Sequence, residues 1–384
     1  MNHRTFSGLA LSSARALRSF VFTTMAIIAP YFLGYVGLNY IGVGLIIALS
    51  GVVSTIFVYV IPRLNIPTKS KLLMVWGLMV TAFVILYVQE SVLAYIIALL
   101  AGGIPLSGKD MSPNQAIEQY SIGRNAQSQK EKNTMFSYYS FLSYAGNTVA
   151  AVFLFFYAGF TFEEMFGLCL AVSALSGIPY IFHEFPKIER TAVNGTLSES
   201  TRKLRNVLGT LFSVDSFGGG LINSSMLSLW FLAVYGTTLA QIGFIFIIVN
   251  ILSAVSILIS ARISTRIGMV RTMVYTHLIS NAFLLLMPLL HMILFSEAML
   301  FARQATSQMD VPPRDSFINT VIPEEERMRT NSQFIAIRNM TIIPAPAIGG
   351  VLADTFPQTI PFLAGAIKAV YDVGFFARFH RNRD

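Results

Sequence analysis

Charge is scarce in this chain. Only 12% of its 384 residues are Asp, Glu, Lys or Arg, where a soluble domain of that size carries about 25%. Apolar residues make up 54%, and the mean hydropathy is +0.63. Too few polar groups remain to face water all round a core of this size, so the outer surface is expected to lie largely in lipid. Cysteine is almost absent. The single Cys169 excludes an intrachain disulfide and a cysteine-based metal site, and its apolar surroundings read as packing. The chain also lacks a zinc-protease helix motif, a nucleotide loop ending in Gly-Lys-Ser/Thr and a CxxC pair. Neither nucleotide hydrolysis nor metal chemistry has a signature here. No cofactor, no metal and no enzymatic activity are expected.

Acidic residues are fewer than basic ones, 19 against 27, which leaves a net charge of +8 and a pI near 9.6. A nucleic-acid partner is not the reading. The cations flank apolar stretches and do not form a cluster interleaved with aromatics, which is the pattern of positive-inside membrane topology.

The positions of the cations carry the most information. Six long segments, 19–62, 72–108, 133–186, 206–261, 272–313 and 339–377, are interrupted by only Arg303 and Lys368. Each holds 37 to 56 residues, enough for two bilayer crossings of about 20 residues. A pair of crossings begins and ends on one side, so 25 of the 27 cations fall on one face of a membrane. The expectation is an all-α membrane protein with twelve transmembrane helices in six hairpins. Both termini lie in the cytoplasm of a plasma or inner membrane. Approximate spans are 16–38, 42–62, 72–90, 92–118, 134–157, 164–184, 209–236, 240–261, 272–293, 296–320, 333–353 and 359–378.

Arg4, Arg15 and Arg18 precede the apolar run Ser19–Leu38, which exceeds a signal-peptide core and is expected to remain as the first span. The outer connections are short, which argues against a receptor for an external macromolecule. The longest inner connection has a polar middle and a basic end, so it reads as a linker with an amphipathic helix. Its sequon Asn194-Gly195-Thr196 would face the cytoplasm and stay unused. The expected organisation is 1–185, a first six-helix bundle; 186–206, a cytoplasmic linker; and 207–384, a second six-helix bundle.

The chain repeats itself weakly at a near-constant offset. Asp110-Met111-Ser112-Pro113 matches Asp310-Val311-Pro312-Pro313, Tyr31-Phe32-Leu33 matches Trp230-Phe231-Leu232, and Ile41-Gly42 matches Ile242-Gly243. Two pseudo-symmetric halves of equal orientation follow, an arrangement that places a site between the repeats.

With these features the chain resembles the major facilitator superfamily of secondary transporters along its whole length. The most specific stretch runs from Arg303-Gln304 to Asp310-Val311-Pro312-Pro313-Arg314, followed by Ile322-Pro323-Glu324-Glu325-Glu326-Arg327. It is similar to the tenth helix and following loop of many members. Arg63, Lys69 and Lys71 after helix 2, and Arg262, Arg266 and Arg271 after helix 8, keep the charge of the family's basic loops without their Asp. The family's fourth-helix Arg is missing, since that region reads Ala101-Gly102-Gly103. The resemblance implies alternating access and a cavity lined by helices 1, 4, 7 and 10. It also leans toward efflux, because many members of similar length with small loops are exporters.

Ionisable groups inside spans cost about 2.5–3.5 kcal/mol near the bilayer centre. Arg303 is the clearest case. Ser307, Asp310 and Arg314 follow it at helical spacing on one stripe, suited to meeting an anionic or polar solute group. Asp215, Gly219, Asn223, Met226 and Trp230 form a second stripe. The candidate solute-binding residues are Arg303, Asn223, Trp230 and Tyr31. Asp110, Asp215, Asp310 and Glu118 are candidates for proton coupling or gating. Asp110 and Asp310, at matching inner ends, also suit a clasp onto cytoplasmic basic residues, and the six loop cations are the candidate cytoplasmic gate. Lys368 and Asp372 are expected to support each other on helix 12, and His277 and His291 to be isolated packing residues.

The partners expected are a small organic solute, protons or another coupling ion, and the lipid bilayer. Nothing requires more than a monomer. The function expected is proton-coupled secondary transport. The alternatives are a passive facilitator or non-transporting sensor on the same fold, and a membrane-embedded enzyme.

Overall fold

A computed structural model of the chain describes residues 3–125, 129–157, 159–183, 185 and 197–380. Among these residues there is no strand. In a hydrocarbon environment every backbone N–H and C=O must find its partner within the segment, which selects helix. The sequon at 194–196 and most of the expected linker lie outside the described residues.

The first half comprises α1 (His3–Tyr35), α2 (Tyr40–Val60), α3 (Thr68–Val88), α4 (Val92–Gly102), α5 (Pro113–Asn125), α6 (Gln129–Phe156), α7 (Phe162–Ser176) and α8 (Ile178–Phe182). The second half comprises α9 (Glu199–Gly220), α10 (Ser224–Tyr235), α11 (Leu239–Ile267), α12 (Met269–Leu286), α13 (Ile293–Ser307), α14 (Val311–Val321), α15 (Glu324–Ile342), α16 (Ala345–Thr355) and α17 (Thr359–Phe379). Among the described residues, nine helical segments are long and apolar enough to cross a bilayer, or ten if α9 and α10, bent by 42°, count as one.

The two expected spans outside that count are the fourth and the tenth, and both are broken. The stretch 92–118 is not one helix. Gly103 terminates α4 in the left-handed region at φ +57°, and the chain resumes helix only at Pro113. The stretch 296–320 breaks at Gln308–Asp310 before Pro312 and Pro313. Proline fits the first turn of a helix, where its missing N–H has no partner to lose, and disrupts an interior. Asp110 and Asp310 therefore stand just ahead of the second half-helix in each case. Other boundaries also move. The first helix begins at His3, well before 16, and the seventh begins at Glu199, inside the expected linker. Ser198 caps it by accepting from the Thr201 N–H at 3.3 Å.

The chain divides into two compact units: residues 1–190 with 236–247, and 191–235 with 248–384. In the first, α1 packs chiefly along α6. The contact is close because Gly146 lacks a side chain: a Cβ there would lie 2.2 Å from the Ala16 carbonyl oxygen. Leu11, Ala14, Leu72, Ile117, Tyr139 and Tyr180 form a core beneath it. In the second unit, α15 and α17 pack on α9, α12 packs on α17, and Phe212, Met273, Phe317, Phe334, Tyr371 and Phe375 fill the centre. Leu45, Val88, Leu258, Leu294 and Val370 remain exposed on helices, the surface expected to contact lipid tails.

Candidate functional site

Each unit holds a buried cluster of charges. In the first, α1 carries Arg18 inward, where it is 1% exposed. Its two terminal nitrogens meet both carboxylate oxygens of Glu118 on α5 at 2.7 Å each. One of them also donates to Asp110 Oδ2 at 2.9 Å, and the other to the Tyr180 hydroxyl on α8. Glu118 accepts further from the hydroxyls of Tyr139 and Tyr180. Asp110 Oδ1 accepts from the Ser112 N–H at 3.0 Å and its hydroxyl at 2.6 Å. A charge this deep is tolerable only when paired and fully hydrogen-bonded. Asp110 and Glu118 thus hold a cation from the first helix. Asp110 clasps Arg18, a basic residue that precedes the first apolar run. Arg18, read from sequence as a flanking topology marker, is the hub. A small recess lined by Arg18, Trp76, Ser112 and Asn114 adjoins it.

The loop residues find local partners. Lys71 is buried and donates to the Pro62 carbonyl at 2.8 Å, Lys69 donates to the Ile181 carbonyl, and Arg63 stacks 3.5 Å over the Tyr59 ring. Arg262, Arg266 and Arg271 are exposed.

The second unit gathers more of the candidates. Arg303 on α13 is 8% exposed and donates to Gln304 Oε1 at 2.7 Å. Gln304 in turn donates to Ser253 on α11. No described carboxylate forms an ion pair with Arg303, and its Nε lacks a hydrogen-bond partner. Ser307, Asp310 and Arg314 are also buried, but the break after α13 interrupts the expected stripe, and Arg314 donates to Asp310 Oδ2 at 2.9 Å. Asp310 therefore pairs within its own segment.

Asp215 on α9 contacts Lys368 on α17. The expected pair between Lys368 and Asp372 does not form. The ammonium turns to Asp215, while Asp372 accepts from Asn281 at 2.7 Å and meets His277 Nδ1 at 2.7 Å. His277 is consequently no isolated packing residue. Its Nε2 lies 3.6 Å from Asp215 Oδ1. His291 is exposed.

Asn223 sits at the α9–α10 bend. Its Oδ1 accepts from the Met226 N–H at 3.0 Å and its Nδ2 donates to the Gly220 carbonyl at 3.2 Å. Trp230 is enclosed in the second unit and donates to the Pro357 carbonyl at 2.9 Å. Tyr31 shares a 2.9 Å hydrogen bond with Thr237 in the first unit. The structure thus brings Asp215, His277, Lys368 and Asp372 together, and Asp110 with Glu118. It leaves Tyr31, Asn223 and Trp230 in separate settings. Among the described residues no group of three or more His, Cys, Asp or Glu is placed to hold a metal ion.

No protein-family model matches the chain, and no curated protein sequence matches it. Solved structures do match. The human organic anion transporter MFSD10 aligns with a TM-score of 0.70 at 13% identity, over 98% of this chain and 100% of that one. The nucleoside transporter NupG aligns at 0.69 and 14%, over 99% of each. The D-xylose-proton symporter aligns at 0.72 and 10%, over 96% of this chain and 97% of that one. Over nearly its full length, then, the chain has the fold of these solved transporters.

Proposed function

We propose that the protein is a secondary transporter that moves a small organic solute across the membrane by alternating access, coupled to protons. The solute carries an anionic or polar group that binds Arg303, and outward movement is the favoured direction. The observation that carries this reading is Arg303 itself. It is a buried guanidinium that makes no ion pair with a described carboxylate, and its Nε has no hydrogen-bond partner among the described residues. Leaving such a charge uncompensated is costly. A solute oxyanion would satisfy it through two parallel N–H···O bonds. Support for transport comes from the fold, which this chain shares with proteins described as organic anion, nucleoside and sugar-proton transporters.

The test uses purified protein in sealed liposomes with an imposed pH gradient and a pH dye inside. A panel of organic carboxylates, nucleosides and sugars is added in turn. One member of the panel is expected to change the lumenal pH with the wild type and not with Arg303→Ala. A solute that exchanges without moving protons would make the protein a passive facilitator. Conversion of a solute in detergent, with no compartment, would make it an enzyme. An unaltered response in Arg303→Ala would remove that residue from the site.

A further inference from the structure

We infer that His277 Nε2 is a proton-binding position, with Asp215 Oδ1 as an acceptor that it shares with Lys368. The inference deepens the proton coupling proposed above, and only its transport arm rests on that reading.

The geometry fixes one ring nitrogen and leaves the other to exchange. His277 Nδ1 faces Asp372 Oδ1 at 2.7 Å. Two bare acceptors at that separation would repel, so a proton lies between them. The other oxygen of Asp372 accepts from Asn281 at 2.7 Å. With Asp372 ionised, the shared proton lies on Nδ1 and Nε2 carries the open lone pair.

That lone pair faces Asp215 Oδ1 at 3.6 Å, the same oxygen that Lys368 Nζ contacts. All four side chains are buried. With a neutral imidazole, Asp215 Oδ1 has the Lys368 ammonium in contact and an unprotonated ring nitrogen at 3.6 Å. A proton taken from water onto Nε2 forms one N–H bond and gives that oxygen a second donor. No further reactant is required. The new N–H then competes with the ammonium for Oδ1, and the balance between them decides which helix, α12 or α17, holds Asp215. Because Asp215 lies on α9 a few residues before the bend at 221–223, proton binding acts on the helix that carries Asn223.

From α17, His277 faces Lys368, Asp372 and the edge of the Tyr371 ring, 5.7 Å between centroids. From α9 it faces Asp215, and on α12 itself Asn281. Arg303 on α13, Arg314 on α14 and Arg338 on α15 interact electrostatically with Asp215, and Asp310 with Arg314.

The test labels the five histidines with 15N and follows them by NMR in lipid nanodiscs across pH. The His277 signals are identified by their loss in His277→Gln. The expected result is a permanently protonated Nδ1 and an Nε2 that titrates reversibly. In Lys368→Gln, the pH response of the Nε2 signal is expected to change, because the competing cation is gone. In Asp372→Asn, the Nδ1 proton is expected to lose its fixed position. An Nε2 that keeps one protonation state throughout the folded range overturns the inference, as does a titration that ignores Lys368→Gln. With a solute from the liposome panel, His277→Gln should retain solute exchange and lose gradient-driven accumulation. Retained accumulation also overturns the coupling role. Failure to find any solute bears on the transport reading and leaves the NMR result decisive here.

Discussion

Arg18 and Glu118 meet end to end, nitrogen for oxygen at 2.7 Å twice over, across 100 residues of sequence. Asp110 completes the group at 2.9 Å. Removing one partner of a buried pair leaves an uncompensated charge and costs about 3–5 kcal/mol. Arg18→Met strands two carboxylates, while Glu118→Gln leaves the cation with Asp110. The first variant is expected to be the less stable. Adding Glu118→Leu and Asp110→Asn to Arg18→Met should recover most of the loss. Cys169 is the only thiol and is fully buried in α7, so a thiol-reactive dye added during a thermal ramp reports unfolding of the first unit directly. Equal melting for Arg18→Met and wild type would show that the pair contributes nothing.

The spans were legible in the sequence because a bilayer imposes about 20 apolar residues per crossing and confines cations to one side. The breaks in the fourth and tenth spans were harder to read, since 92–106 is continuously apolar up to its break. The signals were present in Gly102-Gly103, Pro113 and Pro312-Pro313, each a helix terminator or initiator. Arg18 was misread because a cation at the edge of a span is ordinarily a topology marker, and nothing local shows that it turns inward. His277 looked isolated because its partners are distant: Asp372 lies 95 residues away, and Asp215 reaches it from another helix. Spacing rules see i and i+4. They expected Lys368 to pair with Asp372 and had no means of finding that a third helix offers the ammonium a better partner.

Gly146 and Gly219 should respond oppositely to alanine. A Cβ at 146 would fall 2.2 Å from the Ala16 carbonyl oxygen, and backbone cannot yield as a side chain does. The α1–α6 contact would have to open, at about 1–3 kcal/mol. At Gly219 a Cβ meets nothing within 4 Å, and alanine is the better helix former by up to about 1 kcal/mol. Thermal melts of Gly146→Ala and Gly219→Ala in detergent decide it. A tolerated Gly146→Ala would mean that these helices pack less closely than described.

Asn223 has two roles to separate. Its Oδ1 caps α10 through the Met226 N–H, and its Nδ2 holds the Gly220 carbonyl across the bend. Asn223→Ala should lose about 1 kcal/mol of stability, as other cap removals do. Asn223→Asp keeps the accepting oxygen and should preserve most of that stability. If Asn223→Asp melts like the wild type yet loses its response to the solute, the amide N–H contributes to binding. If stability and response fall together in both variants, the residue is a cap alone.

Arg303 and Arg314 lie eleven residues apart, on either side of the break between α13 and α14, and should behave in opposite ways. Arg314 has Asp310 at 2.9 Å, and Arg303 has only a neutral amide. Replacing Arg314 with Met strands a buried carboxylate and should destabilise the protein. Replacing Arg303 with Met removes a buried charge that makes no ion pair with a described carboxylate, so the solute-free protein should become more stable, on the order of 1–3 kcal/mol. The same variant should lose any stabilisation by solute, since bound ligand raises the melting temperature only through the site that holds it. Arg303→Lys keeps the charge but not the planar fork, so it should fold normally and bind weakly. Melting curves with and without solute check all three. An Arg303→Met protein as unstable as Arg314→Met would give Arg303 a structural role, because a side chain kept for a ligand is expected to weaken the empty protein.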